Sequence, residues 1–224
     1  MDYMSELDRN VIETMSEDGI AAVIRGKKVS DPKAFVTELA LSGIRCVEFT
    51  FTIPDVLEII REASSVPLSI IGAGTVITAG EAEKAIAAGA SFIVSPGLAH
   101  EIVYPCKEAG IPLILGAFTP TEVMQALALG CSAVKIFPAG ILGARFIKDL
   151  LGPFPTVKFM PSGGISPANT QAFLEAGATA VFAGSDLASR AAVEEGDLTE
   201  IRGNALSYKE VISKARPGGN KVAW

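Results

Sequence analysis

Two ionisable residues stand alone in apolar runs of this 224-residue chain: Lys135 in Ala-Val-Lys-Ile-Phe-Pro and Glu48 in Cys-Val-Glu-Phe-Thr-Phe-Thr. Apolar surroundings disfavour an ammonium, and an uncharged lysine amine attacks carbonyl carbon to form a Schiff base. A carboxyl group within reach of that amine can carry protons to and from the reacting atoms. The plainer alternative is structural: the lysine snorkels to a rim, or the two residues satisfy each other as an ion pair. Burying such a pair costs several kcal/mol of desolvation per ion unless its geometry is very good, so two lone charges on separate strands favour a site.

These residues need elements that aim them. In a strand, successive side chains alternate faces, so Ala133, Lys135 and Phe137 point one way and Val134 and Ile136 the other. Likewise Ile44, Cys46, Glu48, Thr50 and Thr52 share a face, opposite Arg45, Val47, Phe49 and Phe51. Short apolar runs recur at 20–24, 44–51, 68–73, 91–94, 112–115, 133–137, 157–159 and 180–183, alternating with segments of helical spacing such as 32–41, 82–88 and 121–129. Gly43, Gly89, Gly110, Gly130 and Gly177 stand where helices should end. Ser30-Asp31-Pro32, Thr119-Pro120 and Ser166-Pro167 mark helix starts.

Eight strands alternating with eight helices predict an α/β fold closed into a (β/α)8 TIM barrel, one domain spanning 1–224. An open doubly wound sheet is the rival, but Gly72-Ala73-Gly74 lacks the third glycine of a dinucleotide fingerprint. Residues 1–18 read as an extra N-terminal helix capping the barrel bottom, and 216–224 as a loose C-terminal tail.

Composition narrows the setting. Hydrophobic residues make up 49% and charged residues 20%, which suits a packed domain rather than a disordered chain. Net charge is −6 with scattered basic residues, so no nucleic-acid partner is expected. No apolar run is long enough for a bilayer, and Asp2, Glu6 and Asp8 do not resemble a signal peptide. Cys46, Cys106 and Cys131 are odd in number and lack metal-ligand spacing, as expected of free thiols in the cytoplasm. His100 is the single histidine and no G-x-S-x-G occurs, so neither a metal site nor a serine hydrolase is expected.

In a (β/α)8 barrel the working residues sit at the C-terminal ends of the strands, which selects Arg25, Glu48, Thr75, Lys135, Gly163-Gly164 and Gly184-Ser185. The two glycine-containing turns follow the seventh and eighth strands, the usual phosphate-binding position of this barrel.

These motifs resemble one family. Val-Glu-Phe-Thr-Phe-Thr (47–52), Gly-Ala-Gly-Thr-Val (72–76), Ser-Pro-Gly (95–97), Val-Lys-Ile-Phe-Pro-Ala (134–139) and Pro-Ser-Gly-Gly-Ile (161–165) are similar, in order and spacing, to the 2-keto-3-deoxy-6-phosphogluconate (KDPG) and 4-hydroxy-2-oxoglutarate (KHG) aldolases. The resemblance implies a cofactor-free homotrimeric lyase that cleaves a phosphorylated 2-keto acid to pyruvate and glyceraldehyde 3-phosphate. It assigns Lys135 as the Schiff-base lysine, Glu48 as the acid/base, Thr75 as a carboxylate ligand, and Pro96 and Phe137 as pocket walls. Ser162, Gly163, Gly164, Gly184 and Ser185 fall on the phosphate loops, Ser162 where many relatives have threonine.

One position departs from the pattern. Many relatives carry arginine four residues after the glutamate, where this chain has Thr52, whereas Arg25 closes the first strand in Val-Ile-Arg-Gly. A guanidinium at Arg25 is expected to replace it as the clamp on the substrate carboxylate. The alternative substrates are a galactonate-derived phosphate and unphosphorylated 4-hydroxy-2-oxoglutarate. A phosphosugar isomerase, a thiamin-phosphate-synthase-like transferase or a non-catalytic phosphometabolite binder would need no lysine inside the sixth strand. Phe154 is expected to be exposed, in a loop or at a subunit contact.

Overall fold

The computed structural model describes residues 6–216. The elements run in chain order α1 (Glu6–Asp18), β1 (Ile20–Ile24), α2 (Pro32–Leu41), β2 (Cys46–Thr50), α3 (Val56–Ala63), β3 (Ile70–Gly74), α4 (Ala79–Ala87), β4 (Phe92–Val94) and α5 (Val103–Ala109). They continue with β5 (Leu113–Ala117), α6 (Pro120–Ala128), β6 (Ala133–Ile136), α7 (Ala144–Leu151), β7 (Phe159–Pro161), α8 (Pro167–Glu175), β8 (Val181–Ala183), α9 (Arg190–Glu195) and α10 (Leu198–Ala215). All the strand pairs are parallel, in the order β7-β6-β5-β4-β3-β2-β1-β8. An isolated parallel bridge between Ser162 and Phe182 joins the two ends, giving the expected (β/α)8 barrel.

The helix boundaries follow from caps. The Asp31 carboxylate accepts the Ala34 N–H at 2.9 Å just before Pro32. Thr78 and Thr119 form capping boxes with Glu81 and Glu122, each satisfying two N–H groups that the helix leaves unpaired. At the other end, the five expected glycines all take positive φ, from 64° at Gly110 to 105° at Gly89.

Burial separates into two clusters along the strand period. Val47, Phe49, Val134 and Ile136 pack in the layer shared with the helices. Cys46, Ala133, Phe182 and Phe92 pack inside the barrel, together with Val11, Ile12 and Met15 of α1. α1 is the expected extra N-terminal helix, and Val11, Ile12 and Met15 turn its apolar face to the barrel interior; residues 1–5 of the expected 1–18 lie outside the described residues. The expected tail at 216–224 falls outside them too, apart from Arg216.

Two expectations needed correction. The seventh strand is Phe159–Pro161, not 157–159, because β6 pairs Val134 with Phe159 and Ile136 with Pro161. Register against a neighbour, rather than the apolar run, sets its limits. Phe154 is only partly exposed and packs against the core, so it is not a free surface aromatic.

Candidate active site

β2 and β6 lie four strands apart in an eight-stranded barrel and so face each other across its axis. From these opposite walls Glu48 and Lys135 project inward and meet, with Lys135 Nζ 3.3 Å from Glu48 Oε1. Their residues are 0% and 3% exposed. The rings of Phe182 and Phe137 stand 5.1 and 5.9 Å from Nζ and form an apolar wall beside the amine.

The contact is poorly made for a structural ion pair. Elsewhere in this protein Arg202 grips Glu38 through two bonds of 2.6 and 2.7 Å. Arg45 holds Asp18 with both Nε and Nη2, at 3.0 and 2.7 Å, while its own backbone N–H donates to the same carboxylate at 2.9 Å. Lys135 and Glu48 share one longer bond, and Glu48 Oε2 is buried with no partner. An orphaned buried carboxylate oxygen costs roughly 1–3 kcal/mol. That cost is recovered if a bound molecule supplies the missing donor. The geometry fits a proton-transfer pair better than a brace.

Strand ends surround this pair. Thr50 Oγ1 donates to Ile24 O at 3.1 Å, so the 2.7 Å contact between Thr50 and Thr52 has the Thr52 hydroxyl as donor. Thr52 is exposed at the rim and tied into β2, next to the end of β1 where Arg25 begins. Thr75 adopts a left-handed backbone with φ of 59°, rare for a β-branched residue. The flanking groups hold it there: Phe51 N–H donates to Gly74 O at 2.8 Å and Val76 N–H to Val94 O at 3.2 Å. Such strain costs about 1–3 kcal/mol and gathers at ligand sites.

A cavity of roughly 200 Å³ opens beside the pair. Of the residues singled out from the sequence, it brings together Arg25, Phe137, Ser162, Gly163, Gly164, Gly184 and Ser185. Glu48, Lys135, Thr52, Thr75 and Pro96 do not line it; Phe137 and Phe182, the rings beside the Lys135 amine, form the wall between the cavity and the pair.

The turn after β7 has every carbonyl occupied. Ser162 O and Gly163 O accept from Ala139 and Gly140 N–H at 2.7 and 2.8 Å. Gly164 O accepts from Asn169 Nδ2 at 2.7 Å, and Ile165 O from the Tyr208 hydroxyl at 2.9 Å. The N–H groups of Gly164, Ile165, Ser185 and Asp186, by contrast, meet no acceptor among the described residues. With oxygens turned away and donors left over, these turns suit an anion. No three His, Cys, Asp or Glu side chains among the described residues gather into a metal-ligand set.

The model of the KDPG and KHG aldolases matches residues 11–203. This chain belongs to that family. The KHG/KDPG aldolase of Escherichia coli K12 is 35% identical over 184 residues, covering 81% of this chain and 86% of its own. A solved structure of the 4-hydroxy-2-oxoglutarate/2-dehydro-3-deoxyphosphogluconate aldolase from TTHB1 superposes with a TM-score of 0.81 at 32% identity, covering 91% of this chain and 98% of that one. The KDPG aldolase of Legionella pneumophila, solved with pyruvate captured as a covalent carbinolamine, has a TM-score of 0.80 at 29% identity, covering 88% and 97%.

Membership in the KDPG and KHG aldolases makes this protein an aldehyde-lyase and disposes of the isomerase, transferase and binding-protein alternatives. Sequence reasoning missed several residues that shape the site. Gly116, register partner of Lys135, lets the turn after β4 fold over β5: a Cβ there would lie 2.1 Å from Pro96 O. A lone glycine inside Leu-Ile-Leu-Gly-Ala was the available signal. Asn169 and Tyr208 were invisible because they reach the Gly164-Ile165 turn from helices that carry no catalytic motif. Asp186, in the loop after β8, and Arg190, the first residue of α9, line the cavity just beyond Gly184-Ser185, and no strand periodicity orients either of them.

Proposed function

We propose that Lys135 forms a Schiff base with the C2 ketone of a 2-keto-4-hydroxy acid and that Glu48 moves the protons that break the C3–C4 bond. The substrates are 2-dehydro-3-deoxy-6-phosphogluconate, giving pyruvate and glyceraldehyde 3-phosphate, and 4-hydroxy-2-oxoglutarate, giving pyruvate and glyoxylate. The observation that carries this reading is the buried 3.3 Å approach of Nζ to a carboxylate whose second oxygen has no partner.

The uncharged Lys135 amine adds to C2, and the carbinolamine loses water as Glu48 passes protons between nitrogen and oxygen. The resulting iminium draws electrons from the C3–C4 bond while the Glu48 carboxylate takes the C4 hydroxyl proton. The aldehyde departs, leaving an enamine. Glu48 returns a proton to C3, and water hydrolyses the iminium to pyruvate and free lysine. Arg25 and Thr75 hold the keto-acid carboxylate, with Pro96 and Phe137 as walls. Ser162, Gly163, Gly164, Gly184 and Ser185 receive the phosphate, chiefly through backbone N–H groups.

The exposed apolar residues Phe118, Met124 and Leu127 on and beside α6 suit a subunit contact, and the homotrimer that the family resemblance implies is tested by light scattering of the purified protein. Burial pushes the Cys106 thiol up to about 12, which makes it a poor nucleophile.

Borohydride reduction in the presence of pyruvate should add a stable adduct that peptide mapping places on Lys135. Lys135→Met should abolish both adduct and turnover. An adduct mapped to another lysine, or an active Lys135→Met enzyme, overturns the proposal.

A further inference from the structure

Three charged residues line the cavity: Arg25, Asp186 and Arg190. With Arg25 engaged by the keto-acid carboxylate, the far end would offer a phosphate only backbone N–H groups beside the Asp186 carboxylate. A phosphate monoester carries about −1.5 to −2 charges near neutrality, so an unopposed aspartate there repels it. Arg190 is the remaining cation.

Its guanidinium is held from behind. Arg190 Nε donates to Glu194 Oε1 at 2.7 Å, and the same oxygen accepts the Lys27 N–H at 2.6 Å. These donors hold the Glu194 carboxyl below the usual carboxylate range, the Lys27 N–H most strongly. Ser30 N–H donates to Val193 O at 3.2 Å, a second tie between α9 and the β1–α2 loop. The loop that carries Arg25 and the helix that carries Arg190 are thus stapled together. With Nε committed, the two Nη groups of Arg190 have no acceptor among the described residues, although the side chain lines the cavity. A fixed guanidinium with two free donors matches two oxygens of a phosphate.

We propose that Arg190 binds the phosphate of the substrate and sets the preference for phosphorylated over unphosphorylated keto acids, with Glu194 as the positioning residue that holds it. This rests on the aldolase reading above but can fail separately from it.

The test is calorimetric titration of the whole protein with glycerol 3-phosphate and, as control, glycerol. The wild type should bind the first and not the second. Arg190→Gln should weaken glycerol 3-phosphate about tenfold, the loss expected for charge-assisted bonds at a partly exposed site. It should also lower the ratio of kcat/KM for 2-dehydro-3-deoxy-6-phosphogluconate to that for 4-hydroxy-2-oxoglutarate by a similar factor. Glu194→Ala should shift both readouts in the same direction and Glu194→Gln, which keeps an acceptor oxygen, should restore them. Adding Glu194→Ala to Arg190→Gln should cost nothing more.

Unchanged affinity in a folded Arg190→Gln protein, an unchanged substrate ratio, or a wild type that does not bind glycerol 3-phosphate overturns the proposal. If the wild type binds glycerol 3-phosphate yet traps no pyruvate, the aldolase reading falls while the titration still decides the role of Arg190.

Discussion

Glu48 occupies space that exists only because its strand neighbour but one in register, Gly74, has no side chain: a Cβ on Gly74 would lie 2.7 Å from Glu48 Oε1. β3 pairs Glu48 with Gly72 and Thr50 with Gly74, so both glycines face the carboxylate-bearing strand. The Gly72 gap is filled differently, by the Phe92 ring, 2.3 Å from where its Cβ would be. One glycine admits the Glu48 carboxylate, the other an apolar wall.

Gly74→Ala should therefore displace the carboxylate without removing it. Misplacing a catalytic group by about 1 Å costs on the order of a hundredfold in rate. Steady-state kinetics should show kcat reduced by about that factor in a protein whose circular dichroism is unchanged. Full activity in the alanine variant would show that Glu48 needs no such space.

Thr75 tests whether backbone strain serves the site. Its φ of 59° suits glycine far better than threonine. Thr75→Gly should leave stability unchanged or raise it by about 1 kcal/mol, because relief of strain offsets the added freedom of the unfolded chain. The same change removes the hydroxyl, and kcat/KM should fall about tenfold. Thermal melts and kinetics on one preparation read both effects. A loss of stability would mean that the threonine side chain serves packing rather than substrate.

Much of this was legible in the sequence, for a physical reason. Period-two alternation around Lys135 and Glu48 set which way each side chain points, and closure of the barrel then left them no place but its axis. Helix boundaries were legible where a cap announced them, as at Asp31-Pro32 and Thr119-Pro120. What stayed hidden was set by pairing between distant segments. β7 slid two residues because β6 dictated its register. Thr75 carries no local sign of a left-handed backbone; the bonds made by Phe51 N–H and Val94 O impose it from two other strands' ends. Glu194 stands four residues after Arg190, a spacing that implies a helical pair, yet nothing local tells that its carboxylate also reaches Lys27 N–H.

The Glu38–Arg202 pair predicts an acid limb of stability. Arg202 beside Glu38 holds the buried carboxyl below its ordinary 4.5. A carboxyl lowered in the folded state stabilises above its unfolded value, and that contribution is lost as pH falls through the folded value. Glu38→Gln should lower stability by about 1 kcal/mol at pH 7, a modest figure because Arg202 is exposed and screened by solvent. Chemical denaturation at pH 7 and below pH 4 should show the difference between variant and wild type shrinking with acidification. A gap that widens at low pH would have the sign wrong and rule out this linkage.

Arg25 carries the last prediction, since this chain has Thr52 where many relatives carry arginine. Arg25 directly follows β1, whose Ile24 carbonyl is held by Thr50, and Thr50 in turn takes the Thr52 hydroxyl. The two positions therefore sit on adjacent, bonded strand ends, close enough for a guanidinium from either to serve one carboxylate. Arg25→Ala should raise the pyruvate concentration needed for half-maximal borohydride trapping about tenfold, the loss of a charge-assisted contact. Arg25→Lys should recover little, because an ammonium cannot grip both oxygens in a plane. Thr52→Arg placed in the Arg25→Ala protein should restore most of the trapping. If Arg25→Ala traps pyruvate at the wild-type concentration, the carboxylate is held by Thr75 and backbone groups alone, and the arginine of β1 belongs to the rim.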